Sequence, residues 1–505
     1  MELKVFKDTL STIGSLCEAK AELPIETEIL IPDYLPQVFK IVKCFVRPVI
    51  LQKQVSGGRC TLDGYLRCTV FYQAENDASL CQTEQKLPFT KSIDLPAAEG
   101  QGYSVHAAGD VEYLNCRAVN QRRVDVRGAY ALTVSVACGV EQEVITALSG
   151  AGAEQKLVTL RGMRGVAGVE KLITAEEELA FPQPPLAVLD VSGVGTVQDV
   201  KLISGKAVVK GEILASVLYR SEAGYHTQLL KKAVPFNQIV DVEGITEDCQ
   251  CFAMVEPVGC TMLAGSGPEA ANVLSVTAML HLRVLRPVEC CVVSDAFSTQ
   301  YEADVAYKTV QLERLAGELD LTVEGQAGGA LPDENAEILQ CFATLAPLEL
   351  VSAGDQLTVR GRATAHVFCM NSLGEIDCYD KSFEYTLPGQ YPGAAENYRL
   401  ECWPTVLEVQ SRKNGGEMAA TVGIRVCGLV MERQKETVVD SMACEQPHQP
   451  EDPAVALRIY YAAAGENVFD IAKRYHVSPG GMLAANQLES PELDQNARLL
   501  VPMNA

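Results

Sequence analysis

The sequence predicts a mainly β protein built from three similar β-rich repeats, followed by a small module with the order strand, helix, helix, strand. Two observations lead to this prediction. A glycine-centred segment of alternating apolar and polar residues occurs three times at domain-sized spacing, and the C-terminal residues change to a helical pattern. A chain of 505 residues also exceeds what one hydrophobic core usually serves, so several domains are expected.

The repeated segment reads GRCTLDGYLRCTVFY, GKAVVKGEILASVLY and DQLTVRGRATAHVFC in its three copies. Its central glycines are Gly64, Gly211 and Gly361. Their spacing is too long for a solenoid and fits separate domains. A glycine in the middle of a strand indicates a bulge or a close backbone approach, where a side chain would clash.

Alternation around each glycine predicts a strand with one buried face. The residues expected on that face are Cys60, Leu62, Leu66, Cys68, Val70 and Tyr72 in the first copy, Ala207, Val209, Ile213, Ala215, Val217 and Tyr219 in the second, and Leu357, Val359, Ala363, Ala365, Val367 and Cys369 in the third. Each repeat should therefore be an antiparallel sandwich or an open barrel, with limited helix near residues 8 to 20.

The expected domains are three repeats at residues 1–150, 151–297 and 298–444, a spacer at 445–456 and a C-terminal module at 457–505. The spacer reads EQPHQPEDPAVA. Its prolines and acidic residues favour an extended, semi-rigid segment. We therefore expect the spacer to hold the module away from the repeats.

Composition excludes some classes of function. A formal charge of −23 disfavours binding to nucleic acid or to an anionic membrane. The N-terminal residues mix charged and apolar side chains, and no apolar run approaches the length of a transmembrane segment. These features predict a cytosolic protein. In that compartment the 18 cysteines should remain thiols, and their spacing does not indicate a metal site.

The first repeat resembles the SPOCS domain of spore-coat assembly proteins in endospore-forming bacteria. Three features carry the resemblance: the segment LPIETEILIPDYLPQVFKIVKCFVRP, the glycine-centred strand and the LPF tripeptide that follows it. The resemblance extends over the three repeats, with weaker entry segments in the second and third. It implies a coat-assembly scaffold in the mother cell, at the forespore surface, with other coat proteins as partners.

The segment that follows the spacer predicts a strand, two helices and a final strand. Asn467 or Glu466 can cap the first helix, Pro479 suits the first turn of the second, and that helix should end near Asn486. One face of the first helix is apolar and consists of Val468, Ile471, Ala472 and Tyr475.

This segment resembles a LysM module, because its order of Tyr461, Gly465, the stretch DIAKRY, Val477, Ser478, Leu483, Asn486, Leu488 and the closing LLVP fits that family. In LysM modules a shallow groove binds glycans that contain N-acetylglucosamine. Carried over, the groove comprises Gly465, Glu466, Asn467, Val468 and Phe469 facing Asn486, Gln487, Leu488 and Glu489. Core packing for Val468 and Phe469, and loop geometry for Gly465 and Asn486, are the alternative interpretations.

Two departures from the LysM pattern bear on the ligand. The family's usual Gly-Asp-Thr becomes Gly465-Glu466-Asn467, and the glycine before the last strand becomes Asn496 or Ala497. The first change lies at the groove, where sugar recognition depends on a few well-placed polar groups. The two departures favour a protein ligand over a glycan.

The sequence contains no phosphate-binding loop and no nucleophile elbow, and its six histidines are scattered. We expect no catalytic residues, no cofactor and no metal. Two functions remain: a coat scaffold whose LysM module binds a coat-assembly ATPase, or a wall or cortex protein that binds peptidoglycan or chitin-type glycans. An enzyme would need a polar cluster in one repeat that the others lack, and the sequence alone reveals none.

Overall fold

A computed structural model describes residues 2–75, 79–96, 101–203, 205–221, 227–263, 272–449 and 457–502. Antiparallel strands form most of this part of the chain, as the sequence predicts. Residues 450–456 of the expected spacer lie outside the described residues. Within the described part, the helices are too short or too polar to cross a lipid bilayer.

The first unit, residues 4–149, has six strands. They are β1 (Lys4–Leu30), β2 (Val38–Ser56), β3 (Arg59–Ala74), β4 (Leu80–Asp94), β5 (Gln101–Asn120) and β6 (Arg123–Ser149). One sheet has the order β2-β3-β4 and the other β1-β6-β5. The buried face of β3 contributes to a core that both sheets share.

The helix expected near residues 8 to 20 is wrong, because these residues belong to β1 and pair with β6. Two bulges interrupt the alternation of β1, between Phe6 and Lys7 and between Ser15 and Cys17. Leu10 and Ile13 are buried against other units of the chain, and contacts of this kind cannot be predicted from the local sequence. The spacing of apolar residues therefore resembled a helix although the segment is a strand.

The second unit, residues 153–298, repeats this arrangement. Its strands are β7 (Ala153–Leu179), β8 (Pro185–Ile203), β9 (Lys206–Ser221), β10 (Thr227–Asp241), β11 (Gln250–Leu263) and β12 (Asn272–Ser298). The sheets have the orders β10-β9-β8 and β11-β12-β7. The chain passes from unit 1 to unit 2 through a tight turn at residues 150–152.

The third unit, residues 301–447, splits some of these strands. It contains β13 (Tyr301–Ala330), β14 (Glu337–Leu345), β15 (Glu349–Ala353), β16 (Gln356–Met370), β17 (Ile376–Thr386), β18 (Tyr391–Pro392), a 3₁₀ helix (Ala395–Asn397), β19 (Tyr398–Asn414) and β20 (Glu417–Pro447). One sheet is β13-β20-β19, and in the other β16 pairs with β14, β15, β17 and β18.

The three repeated glycines occupy matching places in their sheets. Gly64 and Gly211 lie opposite Phe89 and Phe236, and Gly361 lies opposite Tyr385. On the other side of each glycine-containing strand, β2 has a bulge beside Gly64 and β8 has a bulge beside Gly211. In unit 3 the corresponding strand is interrupted beside Gly361, where β14 ends and β15 begins. The strand prediction is confirmed, and all eighteen residues predicted on the buried faces are buried.

A Cβ atom added at any of these glycines would collide with its surroundings. At Gly64 it would strike the carbonyl oxygen of Val49, and at Gly211 it would strike that of Thr196. At Gly361 it would strike the ring of Tyr385. The predicted close approach is therefore confirmed, and it comes from a bulged neighbouring strand or a facing aromatic ring.

Equivalent strands of the three units meet in a common core. Val144 of β6, Val292 of β12 and Val438 of β20 are fully buried and belong to one apolar cluster. Leu10 and Leu160 join the same cluster. Because like positions of three similar units converge there, the units are arranged with approximate threefold symmetry around this core.

The cysteines lie largely within strands and carry no disulfide in the described residues. Cys68 and Cys369 face packed interiors, and burial raises the pKa of each thiol to about 11. A protonated, buried thiol is chemically inert. That the cysteines stay reduced in the native protein remains a prediction.

Candidate functional site

The C-terminal module is a compact unit of residues 458–501. It contains β21 (Arg458–Ala462), α1 (Val468–Tyr475), α2 (Pro479–Asn486) and β22 (Ala497–Val501). The Asn467 side chain caps α1 by accepting a hydrogen bond from the Phe469 backbone N–H at 2.8 Å. Pro479 occupies the first turn of α2, and α2 ends at Asn486, as the sequence predicts.

The loop before α1 is held against the segment that precedes β22. The Gly465 N–H donates to the Leu493 carbonyl, and the Val468 N–H donates to the Pro491 carbonyl, both at 2.7 Å. The Leu493 N–H in turn donates to the Glu466 carbonyl at 3.1 Å. The first predicted wall of the groove therefore contacts residues 491–493 directly.

The polar side chains of the predicted groove are engaged within the module itself. Glu466 accepts hydrogen bonds from the Ala463 N–H and the Tyr460 hydroxyl, both at 2.8 Å, and these bonds lower the pKa of its carboxyl. Asn486 accepts from the Leu500 N–H at 2.6 Å and donates to the Leu500 carbonyl. These groups support loop geometry and have fewer hydrogen bonds to offer a ligand.

The remaining predicted groove residues differ in accessibility. Val468 is fully buried and Phe469 nearly so, as the core-packing interpretation requires. Leu488 is half-buried, while Gln487 and Glu489 are exposed. Among the predicted side chains, only Gln487 and Glu489 combine exposure with polar groups that lack a hydrogen bond within the described residues.

The module docks onto the second and third units. Phe469 packs edge to face on Phe297 of unit 2, with 5.3 Å between ring centroids. The Lys473 ammonium lies 2.6 Å from the Asp295 carboxylate and 3.3 Å from the Tyr307 hydroxyl. The expectation that the spacer holds the module away from the repeats is wrong, because α1 presents apolar and basic side chains that match the surface of the units.

A second contact anchors the start of the spacer to the same place. The rings of His448 and His476 lie 3.9 Å apart between centroids. Nε2 of His448 is 3.0 Å from the carbonyl oxygen of Ser298, where unit 2 ends. The module is therefore held at the junction between unit 2 and unit 3.

The two-stranded sheet of the module carries an exposed apolar face that sequence analysis did not single out. Ile459 and Leu500 are paired across β21 and β22, and both are partly exposed. Tyr461 is 77% exposed, and Leu457, which precedes β21, is 58% exposed. Alternation of Leu457, Ile459 and Tyr461 was the sequence signal for this face.

A buried polar cluster connects the three units on their inner side. Arg399 and Glu313 of unit 3 form an ion pair at 2.6 Å, and their side chains are 3% and 2% exposed. Arg399 also pairs with Glu401, which accepts hydrogen bonds from Arg283 of unit 2 at 2.9 Å and from Ser104 of unit 1 at 3.3 Å. Burial disfavours the charged form of Glu401, but the two arginines outweigh it and hold the pKa well below its usual range.

An aromatic stack lies beside this ionic cluster. Trp403 of unit 3 contacts His106 of unit 1 and His281 of unit 2, at ring-centroid distances of 4.7 and 5.4 Å. Burial lowers the pKa of His106 to about 4. Burial acts in the same direction on His281, but hydrogen bonds to Glu170 and Glu256 outweigh it and raise its pKa. Three units thus meet through side chains that are far apart in sequence.

A cavity of about 950 Å³ lies between the three units. Its walls come from all three, for example Tyr130 of unit 1, Pro257 of unit 2 and Phe342 of unit 3. Polar side chains, among them Lys43 and His366, also line it. The sequence gives no sign of this cavity, because it exists only where the repeats meet.

Fold and site together define a protein of tandem β-domains with a small α/β module docked on them. Residues 37–119 and 186–262 match the family described as SipL, SPOCS domain. In these two regions the chain is similar to the SPOCS domain. No curated protein and no solved structure matches the chain.

The two matched regions correspond to the same four strands. In unit 1 the match covers β2 to β5, and in unit 2 it covers β8 to β11. Each match therefore contains the three-stranded sheet with its central glycine and one strand of the second sheet. The long strands that form the common core lie outside the matched regions.

Proposed function

We propose that the chain is a non-catalytic scaffold in endospore coat assembly, acting in the mother-cell cytoplasm at the forespore surface. The observation that supports the proposal is the SPOCS match on the same four strands of two units. A body of three connected units also suits a scaffold, because it offers several surfaces at fixed separations. Other coat proteins are the proposed partners of these surfaces.

We further propose that residues 457–505 are a LysM module that binds a coat-morphogenetic ATPase. The order strand, helix, helix, strand supports the LysM assignment. The hydrogen bonds that occupy Glu466 and Asn486 within the module favour a protein ligand, because sugar binding needs free polar groups in the groove. Gln487 and Glu489 remain as the exposed polar rim of that groove.

Docking of the module adds a second feature that suits a scaffold. Its orientation relative to units 2 and 3 is set by the contacts of Phe469 and Lys473. A partner bound to the groove would therefore be held at a defined position relative to partners on the units. Linked sites of this kind raise overall affinity through effective concentration.

The test uses the full chain with two ligands, the purified coat-assembly ATPase of a sporulating bacterium and chitin or peptidoglycan oligomers. We expect binding to the ATPase and none to the sugars. Glu489→Arg should weaken ATPase binding, whereas Glu247→Arg, the same charge change at an exposed site on unit 2, should not. Saturable sugar binding that Glu489→Arg abolishes, without ATPase binding, would instead establish the glycan-binding wall or cortex protein.

A further inference from the structure

We propose that the third unit contains a binding site for one zinc-class divalent metal ion, formed by His366, Cys378 and Asp380. The inference is independent of the proposed function, because it rests on side-chain geometry in one unit. Nδ1 of His366, Sγ of Cys378 and a carboxylate oxygen of Asp380 all lie within 4.8 Å of one another. One nitrogen, one sulfur and one oxygen ligand are the set that zinc accepts in proteins.

The strand register brings these three side chains together. His366 of β16 is paired with Asp380 of β17, and Cys378 lies two residues before Asp380 on the same face of that strand. Nδ1 of His366 is 2.7 Å from Oδ1 of Asp380, and Sγ of Cys378 is 3.6 Å from the same oxygen. Along the sequence, Cys378 follows His366 by twelve positions and Asp380 follows Cys378 by two. This spacing does not resemble a common zinc motif.

The distances are close to those of a loaded site. Zn–N and Zn–O bonds of about 2.0 Å and a Zn–S bond of about 2.3 Å place tetrahedral ligand atoms about 3.3 to 3.6 Å apart. The contact between Cys378 and Asp380 already has this length. The contact between His366 and Asp380 must widen by less than about 1 Å, as the ion replaces a direct hydrogen bond.

The surroundings supply what a metal-binding histidine requires. Nε2 of His366 lies 2.9 Å from the Thr344 hydroxyl, which can accept the remaining N–H and fix the ring. The ring also packs against Phe45 of unit 1, at 4.9 Å between centroids. The Asp380 side chain is 44% exposed, so the site is open to solvent, from which an ion can enter and a water can serve as the fourth ligand.

The cluster belongs to the third unit alone. At the positions that match His366, Cys378 and Asp380 in register, unit 1 has Thr69, Gln82 and Glu84, and unit 2 has Ser216, Leu229 and Lys231. Neither set contains a nitrogen or sulfur ligand of the zinc type. A polar cluster that only one repeat possesses points to a property that the common fold does not require.

Lys43 of unit 1 is the competitor for this site. Its ammonium lies 2.5 Å from Oδ2 of Asp380, where it supplies the positive charge that an ion would bring. Metal binding must displace or weaken this ion pair. Removal of the Lys43 charge should therefore tighten metal binding, an effect that no purely structural role of the cluster would produce.

The test uses the full chain after treatment with a chelator, titrated with Co²⁺ as a spectroscopic substitute and with Zn²⁺. We expect one ion per chain with a thiolate-to-cobalt absorption band, which Cys378→Ser and His366→Gln abolish. Lys43→Met should tighten binding by about tenfold, or about 1.4 kcal/mol. Cys427→Ser is the matched control, because Cys427 lies 3.5 Å from Asp320 without a histidine ligand, and it should leave binding unchanged.

Three results would each overturn the proposal. The first is the absence of saturable binding in the unaltered chain. The second is a cobalt band that survives both Cys378→Ser and His366→Gln. The third is a metal affinity that Lys43→Met leaves unchanged. Circular dichroism of each variant establishes that it is folded. If Cys378→Ser or His366→Gln does not fold, the Lys43→Met titration, which keeps all three ligands, decides the question.

Discussion

Phe297 of the second unit completes the apolar core of the C-terminal module by packing edge to face on Phe469. The contact joins residues that are far apart in sequence and belong to different units. The contact also covers one face of α1. Phe469, which was expected in the ligand groove, therefore packs against unit 2 instead. The position of the module is thus encoded partly in the repeats.

Phe297→Ala should release the module from the units, because it removes the aromatic contact while leaving every side chain of the module itself unchanged. We expect a larger radius of gyration by small-angle scattering and faster hydrogen exchange in α1. Phe39→Ala is the control, since Phe39 is 57% exposed on unit 1 and does not belong to the apolar cluster of the module. Identical scattering and exchange in the two variants would contradict the docked arrangement.

Arg399→Met should destabilise the protein strongly. It would remove the counter-ion that the buried carboxylates of Glu313 and Glu401 share, which costs about 3 to 5 kcal/mol. Arg360→Met removes the exposed ion pair with Glu384 and should cost less than about 1 kcal/mol. Chemical denaturation measures the free energy of unfolding of both variants. Equal losses would show that the buried ion pairs contribute no more to stability than the exposed one.

The sequence predicted those parts of the fold that depend on local alternation. The buried faces of β3, β9 and β16 follow from period-two patterns, and the glycines at their centres predict the close approach that a Cβ would block. The same reasoning failed for β1. Its bulges shift the alternation, and burial of Leu10 comes from contacts with other units.

The candidate site was predicted only in part for a similar reason. Helix boundaries and the Asn467 cap could be predicted because they depend on neighbouring residues. Docking on Phe297 and Asp295 could not, since these residues precede the module by more than a whole unit of the chain. His366, Cys378 and Asp380 come together only through strand register, which scattered histidines do not reveal.

Stability should fall as the pH decreases from about 6.5 to 4, because His106 has a pKa of about 4 in the folded protein and an ordinary pKa when unfolded. Between pH 6.5 and 4 the His106 ring is protonated in the unfolded chain but neutral in the folded protein. Protonation therefore stabilises only the unfolded state in this range, and the folding stability falls steadily from pH 6.5 down to pH 4. The free energy of unfolding that is lost through His106 over this range is about 3 kcal/mol. Denaturation of His106→Gln across this range should give a flatter dependence.

His281 should show the opposite sign. Its pKa is raised, so its contribution to stability is present below pH 6.5 and is lost as the pH rises through the folded pKa. The stability difference between His281→Gln and the unaltered chain should therefore be largest below pH 6.5. If the His106 and His281 variants changed the pH dependence in the same direction, the assignment of the two histidines would be incorrect.

Gly211→Ala should cost about 1 to 3 kcal/mol, because the added Cβ meets the Thr196 carbonyl and lies 2.6 Å from the Phe236 ring. Gly259→Ala is the matched control on another strand of unit 2, where an added Cβ meets no atom within 4 Å. That substitution should change stability by less than about 0.5 kcal/mol. Thermal unfolding of the two variants compares them, and a tolerated Gly211→Ala would refute the steric role of this glycine.

Approximate threefold symmetry within one chain has a consequence for how such a protein can evolve. In a trimer of identical subunits, each substitution appears three times, and a change that suits one site must be tolerated at two more. Here the copies of the gene segment can diverge independently. A single docking surface for the module at Asp295 and Phe297, and a single His366, Cys378 and Asp380 cluster, are specialisations that a homotrimer could not acquire once only.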